Sequence, residues 1–179
     1  IYSFEPQKKI YEANKQLNVK DKIDYLNIAI SDYSGLKKLK INKKSSTSTF
    51  SEIDSNSTWY KIKSLLINGN VKTSFIAEEE VKTITLDDFC FENKVKKIDL
   101  LKIDTEGHEK EVLTGAGNLF LNKKIKYILI EFHSSKMYKN YDKDEIENLL
   151  LKNNFILLKK FKFLFLAFED RLYCNKNFL

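Results

Sequence analysis

Apolar and polar positions along this chain alternate between two periods, two residues and about 3.6, which mark strands and helices. Ile1, Tyr2, Ser3 and Phe4 read as a strand that ends at Glu5-Pro6, and proline favours the first position of a helix. Ile10, Ala13, Asn14 and Leu17 then recur at helical spacing. Ile23, Tyr25, Ile28 and Ile30 alternate as one further strand, ending at Ser31-Asp32 before the turn Tyr33-Ser34-Gly35. The best-organised stretch is 98–116. Ile98, Leu100, Leu101 and Ile103 form an apolar run short enough to be a strand buried on both faces. Asp104, Glu106 and Gly107 follow, then a helical pattern that Gly115 and Gly117 end, with Leu119 and Leu121 adding an apolar patch. Ile125 and residues 127–130 make a second strongly apolar strand, which runs into Glu131, Phe132 and His133. Asp142 and Glu145 have capping-box spacing before a helix with a stripe of Ile146, Leu149 and Leu150. Residues 155–166 and 172–174 read as two last strands around a polar turn, Glu169-Asp170-Arg171, antiparallel because the connection is short.

Between about 36 and 95 the pattern loosens, and this stretch reads as an excursion within a single domain. Leu36, Leu39 and Ile41 suggest a short strand, and residues 43–58 form a loop rich in Ser and Thr beside the acceptor site. Residues 59–67 suggest one or two helical turns, and 71–85 one or two extended segments. Thr85 and Asp88 have capping-box spacing at the start of a short helix.

The order strand, helix, strand, with short apolar strands, predicts an α/β fold with a mostly parallel sheet. At 179 residues the chain is about one domain. No apolar run reaches the ~20 residues of a membrane span. Cys90 and Cys174 form no spaced motif and read as free thiols of a reducing compartment, the cytoplasm. The net charge of +6 comes almost wholly from lysine, Arg171 being the one arginine. Phosphate and base readers favour arginine for its planar fork, so nucleic acid is not expected as a partner.

Charge changes the picture most at the strand ends. In open α/β sheets, ligands bind in the crevice at the carboxyl edge of the strands. Acids stand at four such positions: Glu5, Asp32, Asp104 with Glu106, and Glu131 with His133 beyond it. Helix capping competes as an explanation, since Thr105 is a good N-cap residue and acids favour helix N-termini. Capping covers Glu109 and Glu106 but not Asp104, which leaves the strand directly. Glu5 fits a carboxylate that binds the two ribose hydroxyls of an adenosine, and Asp32 could meet an adenine amino group, although turn and cap roles compete for both.

FEP, AISDYSG, DLLKIDTEGHEKEVLTGA and YILIEFH together resemble the FkbM-type S-adenosylmethionine-dependent methyltransferases. The resemblance runs from Ile1 to about His133. It implies a Rossmann-like class I methyltransferase three-layer sandwich, with a seven-stranded sheet and an antiparallel final strand. It also implies that Glu5, Pro6, Ile30, Ser31, Asp32 and Asp104 bind S-adenosyl-L-methionine, with Asp104 near its methionine end. The family's first strand and glycine-containing loop are expected before Ile1, with that strand between the strands ending at Glu5 and Asp104.

Methyl transfer to an alkyl hydroxyl needs a placed acceptor and a group to take its proton. Asp104, Glu106, Glu131 and His133 are the candidate catalytic residues, with His108 nearby and no metal required. The acceptor implied by the resemblance is a hydroxyl of a sugar, glycan or related bacterial metabolite. Two other classes compete: a nicotinamide-dependent oxidoreductase, since an acid at a strand end serves both cofactors, and a non-catalytic module holding acidic polymers.

Overall fold

The computed structural model describes residues 1–17, 22–42, 48–58, 60–62, 65, 75–133, 137–162 and 168–179. The chain is a mixed α/β protein whose described strands form three sheets. β1 (Tyr2–Phe4) and β2 (Asp24–Leu26) pair in parallel, with α1 (Lys8–Gln16) connecting them. β3 (Ala29–Ile30), β4 (Gly35–Asn42) and β5 (Phe75–Ile84) form the second sheet, in the order β3-β5-β4. β6 (Ile98–Ile103), β7 (Ile125–His133), β8 (Phe155–Lys162) and β9 (Phe168–Asn175) form the third, ordered β6-β7-β9-β8. Among the described residues, further α-helices are α2 (Leu86–Glu92), α3 (Glu109–Thr114), α4 (Gly117–Leu121) and α5 (Lys143–Lys152), and a 3-10 turn follows β9 at Lys176–Phe178.

Pairing is mixed rather than mostly parallel. β1-β2, β3-β5 and β6-β7 are parallel, whereas β4-β5, β7-β9 and β8-β9 are antiparallel. The single strand expected through Ile23–Ile30 is two strands in different sheets. Asn27 breaks it, because its amide donates to the main-chain oxygens of Glu5 and Pro6 at 2.9 Å each. This ties the end of β1 to the β2–β3 corner.

The excursion contains an arm: β4 and β5 run antiparallel, and Leu39, Ile41 and Val81 pack with Phe50 as a small separate core. Most of the helix expected at 59–67 lies outside the described residues. Thr85 caps α2 by accepting from Asp88 N at 2.9 Å, and Asp142 caps α5 by accepting from Asp144 N and Glu145 N. Thr105 does not cap a helix; α3 begins later, behind His108. Gly115 follows the last residue of α3, whereas Gly117 opens α4 instead of ending a helix.

The main core joins Ile103, Ile125, Ile128 and Ile130 of β6 and β7 to Leu86, Phe89, Val112, Leu113 and Phe120 of the helices. Each fully buried aliphatic or aromatic side chain of this kind contributes about 1.5–3 kcal/mol. Glu169, Asp170 and Arg171 are part of β9, not a turn. Arg171 can stay buried inside the sheet because Glu169 meets Nη2 at 2.6 Å and Glu147 meets Nη1 at 3.0 Å. Its guanidinium also lies 4.4 Å from the centre of the Phe132 ring. Paired and stacked, the charge escapes the cost of isolated burial.

Candidate active site

Register brings the acids together. β6 and β7 run in parallel with Ile103 opposite Ile130, so Asp104 leaves β6 beside Glu131, which still lies within β7 two residues before its end. Glu5 reaches the same region from β1. A cavity of about 420 Å³ is lined by Phe4, Glu5 and Pro6 on one side and Ile103, Asp104 and Glu106 on the other. Ile30 and His108 also face it. Ser31 and Asp32 do not line it: Ser31 is fully buried behind the wall, and Asp32 stands outside, partly exposed.

The turn at 104–108 carries two left-handed residues, Glu106 at φ 51° and Gly107 at φ 95°. Such backbone persists only where its surroundings fix it, and here they do so from three sides. Glu109 Oε1 accepts from Thr105 N, Thr105 Oγ1 and Gly107 N, each at 3.1 Å. Thr49 Oγ1 donates to the Glu106 carbonyl and Ser51 Oγ to the Gly107 carbonyl, both at 2.5 Å. Tyr138 OH donates to Glu106 Oε2 at 2.6 Å, and its ring lies where a Cβ on Gly107 would be, 2.7 Å from the nearest ring atom. Glycine is required at 107 both for φ and for space.

Thr49 and Ser51 belong to a strap. It bridges to β4 through Lys40 and Thr49, and to the segment after β7 through Ile53 and Tyr138. Asp54 N donates to the Met137 carbonyl at 3.0 Å and Lys139 N to the Glu52 carbonyl at 2.8 Å. The Ser/Thr-rich run therefore serves to pin the acidic turn, at least through residues 48–54.

Electrostatics separate the acids. Asp104 is half-exposed and bound by Lys102 at 2.6 Å. Burial raises the Glu5 carboxyl although Gln7 N donates to it at 2.8 Å. Burial pushes Glu131 up to about 7, and the nearby carboxylates of Asp104 and Glu106 oppose its ionisation against the pull of His133. His133 is buried, with Nε2 3.6 Å from Glu109 Oε1 and 3.4 Å from Glu131 Oε1. Burial alone would discharge His133, but Glu109 outweighs it and raises the imidazole. Glu109 is lowered in turn: burial works against its ionisation, and His133 and the turn's main-chain donors overcome that.

These positions were legible to different degrees. Glu5, Asp104 and Glu106 meet at one cavity, whereas Glu131 and His133 are not among its lining residues; Glu131 is near enough to feel the charges of Asp104 and Glu106. Glu109 reads as a helix cap in the sequence but is a fully buried partner of the turn and of His133. Tyr138, Thr49 and Ser51 carry no motif; the Ser/Thr richness of 43–58 is the one signal. Among the described residues, no group of three His, Cys, Asp or Glu side chains is arranged to hold a metal ion.

The FkbM methyltransferase domain matches residues 1–157. This chain belongs to the FkbM methyltransferase family. Within that family context, the chain is similar to the hexuronic acid methyltransferase AglP of the archaeon Haloferax volcanii. The two are 34% identical over 67 residues, a segment spanning 37% of this chain and 27% of the relative. No solved structure matches the chain. The FkbM match covers β1 to β7 and reaches the start of β8, so it includes Glu5, Asp32, Asp104, Glu106, Glu109 and Glu131.

Proposed function

We propose that this FkbM domain takes part in S-adenosylmethionine-dependent O-methylation of a sugar or glycan hydroxyl. The observation that carries the reading is that Glu5 and Asp104, 99 positions apart in the sequence, line one cavity at the carboxyl ends of parallel strands. Family membership supports methyl transfer, and the name of the archaeal relative supports a sugar acceptor. The cavity falls in the size range of small-molecule sites. Its lining suits the cofactor: Glu5 offers a carboxylate to a ribose diol, Pro6 and Ile30 offer apolar walls to a purine, and Asp104 stands at the far side. Ser31 and Asp32, next in sequence to Ile30, lie outside that lining. The cofactor supplies a sulfonium methyl group, so the protein's task is placement and proton removal.

Glu131 is the proton acceptor in this reading. A base works best when its pKa lies near the operating pH, and Glu131 is the carboxylate that burial brings there. Asp104 is engaged by Lys102 and orients the acceptor. Glu106, fixed by Tyr138, shapes the pocket floor. His133 favours its protonated form beside Glu109 and stabilises Glu131 once it has ionised. We assign the whole chain to one methyltransferase domain. Among the described residues β1 bonds only to β2, and β6 only to β7, with the cavity between them. One more parallel strand in that gap would join the two sheets and complete the cofactor pocket. Buried free thiols at Cys90 and Cys174 support a reducing compartment such as the cytoplasm. Among the described residues no helix is long and apolar enough to cross a membrane.

Isothermal titration of the full-length protein with S-adenosylhomocysteine tests the reading. Binding by the wild type, weakened at least tenfold in Glu5→Ala, is expected. Absence of wild-type binding would remove the proposal.

A further inference from the structure

The amino edge of the third sheet gathers positive charge. β6, β7 and β8 begin at this edge and β9 ends there. Ile98 N donates to the Lys124 carbonyl at 2.8 Å, and Lys176 N to the Asn154 carbonyl at 2.9 Å, which sets the four turns side by side. These turns span residues 91–99, 121–126, 151–154 and 175–177. They hold eight lysines against two acids, Glu92 and Asp99, an excess of six that equals the net charge of the whole chain. Lys94, Lys96 and Lys97 lead into β6, and Lys123 and Lys124 precede β7, whose second residue is Lys126. Lys152 and Lys176 stand on the other two turns, and all but the half-buried Lys126 are exposed. Lys97 pairs with Asp99 at 3.2 Å and Lys126 lies over the Tyr127 ring. Among the described residues the other six lysines have no ion-pair partner.

Apolar side chains project among these lysines. Phe91 is 86% exposed, Leu121 78% and Leu151 51%, each in the last turn of the helix that leads into its strand. Phe91, Val95, Lys96 and Lys124 share one surface hollow, whose wall also holds Asp87 and Asp88. Those two acids are engaged within the fold: Asp87 accepts from Asn118 N and Leu119 N, and Asp88 from Ser34 Oγ. Lys94 and Lys123 both take a left-handed backbone, φ 55° and 54°, one position beyond an asparagine that ends a helix. Glycine or asparagine fits that conformation more easily, so backbone geometry does not account for lysine at either place.

We infer that this edge docks the domain on the surface of a bilayer rich in anionic phospholipid, its lysines meeting the headgroups and Phe91 and Leu121 entering the acyl boundary. A bilayer matches both halves of the pattern. Its negative surface potential attracts lysine point charges and makes no use of arginine's planar fork. Its headgroup boundary lets protruding apolar side chains leave water, which an acidic polymer in solution does not. The domain would lie on the membrane without crossing it. The candidate active site sits at the other end of the same strands, about 20 Å away for the six residues of β6, so docking leaves it uncovered. Nothing in this docking depends on which cofactor the cavity takes.

The test is co-sedimentation of the full-length protein with vesicles of phosphatidylcholine alone and of equimolar phosphatidylcholine and phosphatidylglycerol. The wild type should pellet with the mixed vesicles, not with pure phosphatidylcholine, and should be released as salt rises. Lys123→Glu combined with Lys124→Glu should weaken binding at least tenfold. Lys8→Glu combined with Lys9→Glu makes the same charge change on α1, whose Ile10 lines the cavity, and should bind as the wild type does. Phe91→Ser keeps every charge; it should weaken vesicle binding about tenfold and leave retention on heparin unaltered. All the substituted side chains are exposed, so thermal melts of the variants should match the wild type. No binding to the mixed vesicles would overturn the inference. So would vesicle binding that Phe91→Ser leaves intact, which would make the edge a site for acidic polymers. Equal weakening by the α1 pair would overturn it too, because net charge alone would then explain the binding.

Discussion

Glu109 Oε1 stands 3.6 Å from His133 Nε2 in the protein interior, although one residue opens α3 and the other ends β7. The contact is longer than a hydrogen bond, and among the described residues Glu109 Oε2 and His133 Nε2 have no hydrogen-bond partner. What joins them is charge. Glu109 is pulled below its ordinary pKa and His133 above its own, each by the other against burial. The pair links the turn that carries Asp104 and Glu106 to the strand that carries Glu131.

Removing one partner of a buried pair leaves the other charge uncompensated. Glu109→Gln should therefore destabilise the fold by about 3 kcal/mol in urea denaturation. The pH dependence has a defined sign. The His133 contribution is complete below its unfolded value near 6.5 and fades as pH rises through its raised folded value. The Glu109 contribution is complete above about 4.5 and fades as pH falls through its lowered folded value. The stability gap between wild type and His133→Leu should thus be widest between these limits. A gap that grows steadily toward alkaline pH would contradict the ion pair.

Glu131 behaves in the opposite sense. Its folded value of about 7 exceeds the ordinary 4.5, so ionising it costs folding stability as pH climbs between those values. Glu131→Gln should melt a few degrees above wild type at pH 8 and level with it at pH 4. The same variant should lose about a hundredfold or more in methyl transfer, the usual contribution of a general base. Wild-type kcat should rise with pH to a plateau above about 7, and the rise should vanish in the variant. Retained activity in a stabilised Glu131→Gln would exclude it as the base.

Two glycines admit no side chain. A methyl group at 107 meets the Tyr138 ring at 2.7 Å on a backbone of φ 95°, so Gly107→Ala should cost about 2–3 kcal/mol. At 115 the obstruction is the Ser31 main chain, which cannot rotate aside. Gly115→Ala should destabilise at least as much and weaken nucleoside binding, read by thermal melts and titration together. Tyr138→Phe keeps the ring and removes only the hydrogen bond to Glu106, about 1–2 kcal/mol.

The strap holds the acidic turn by two short side-chain bonds. Thr49→Ala with Ser51→Ala should release it while leaving the main core intact. Limited proteolysis should then cut within 48–58 at concentrations of protease that spare the wild type, and KM for the acceptor should rise more than kcat falls. Protection equal to wild type would show that main-chain pairing with 137–139 suffices.

The sequence by itself determined the elements and the order of the acids. Runs such as 98–103 and 125–130 could be read as strands from their apolar positions alone, but the burial expected on both faces of 98–103 is not met: only Ile103 is buried there, and Leu100 stays exposed. Thr85 and Asp142 announced their helices through capping that acts over three residues. Local rules of this kind need no knowledge of the rest of the chain. Tertiary structure decided what local rules could not. It split the strand at Asn27, whose partners lie on Glu5 and Pro6, about twenty positions away. It drew Glu169, Asp170 and Arg171 into β9, because Glu147 on α5 and Glu169 on β9 itself neutralise the guanidinium and let it be buried. It also turned Glu109 from a cap into the partner of His133, and the Ser/Thr-rich run into a strap over the turn. Register between β6 and β7 then set Asp104 beside Glu131. Each of these depends on groups that meet only after distant segments pack, and no periodicity along the chain records such a meeting.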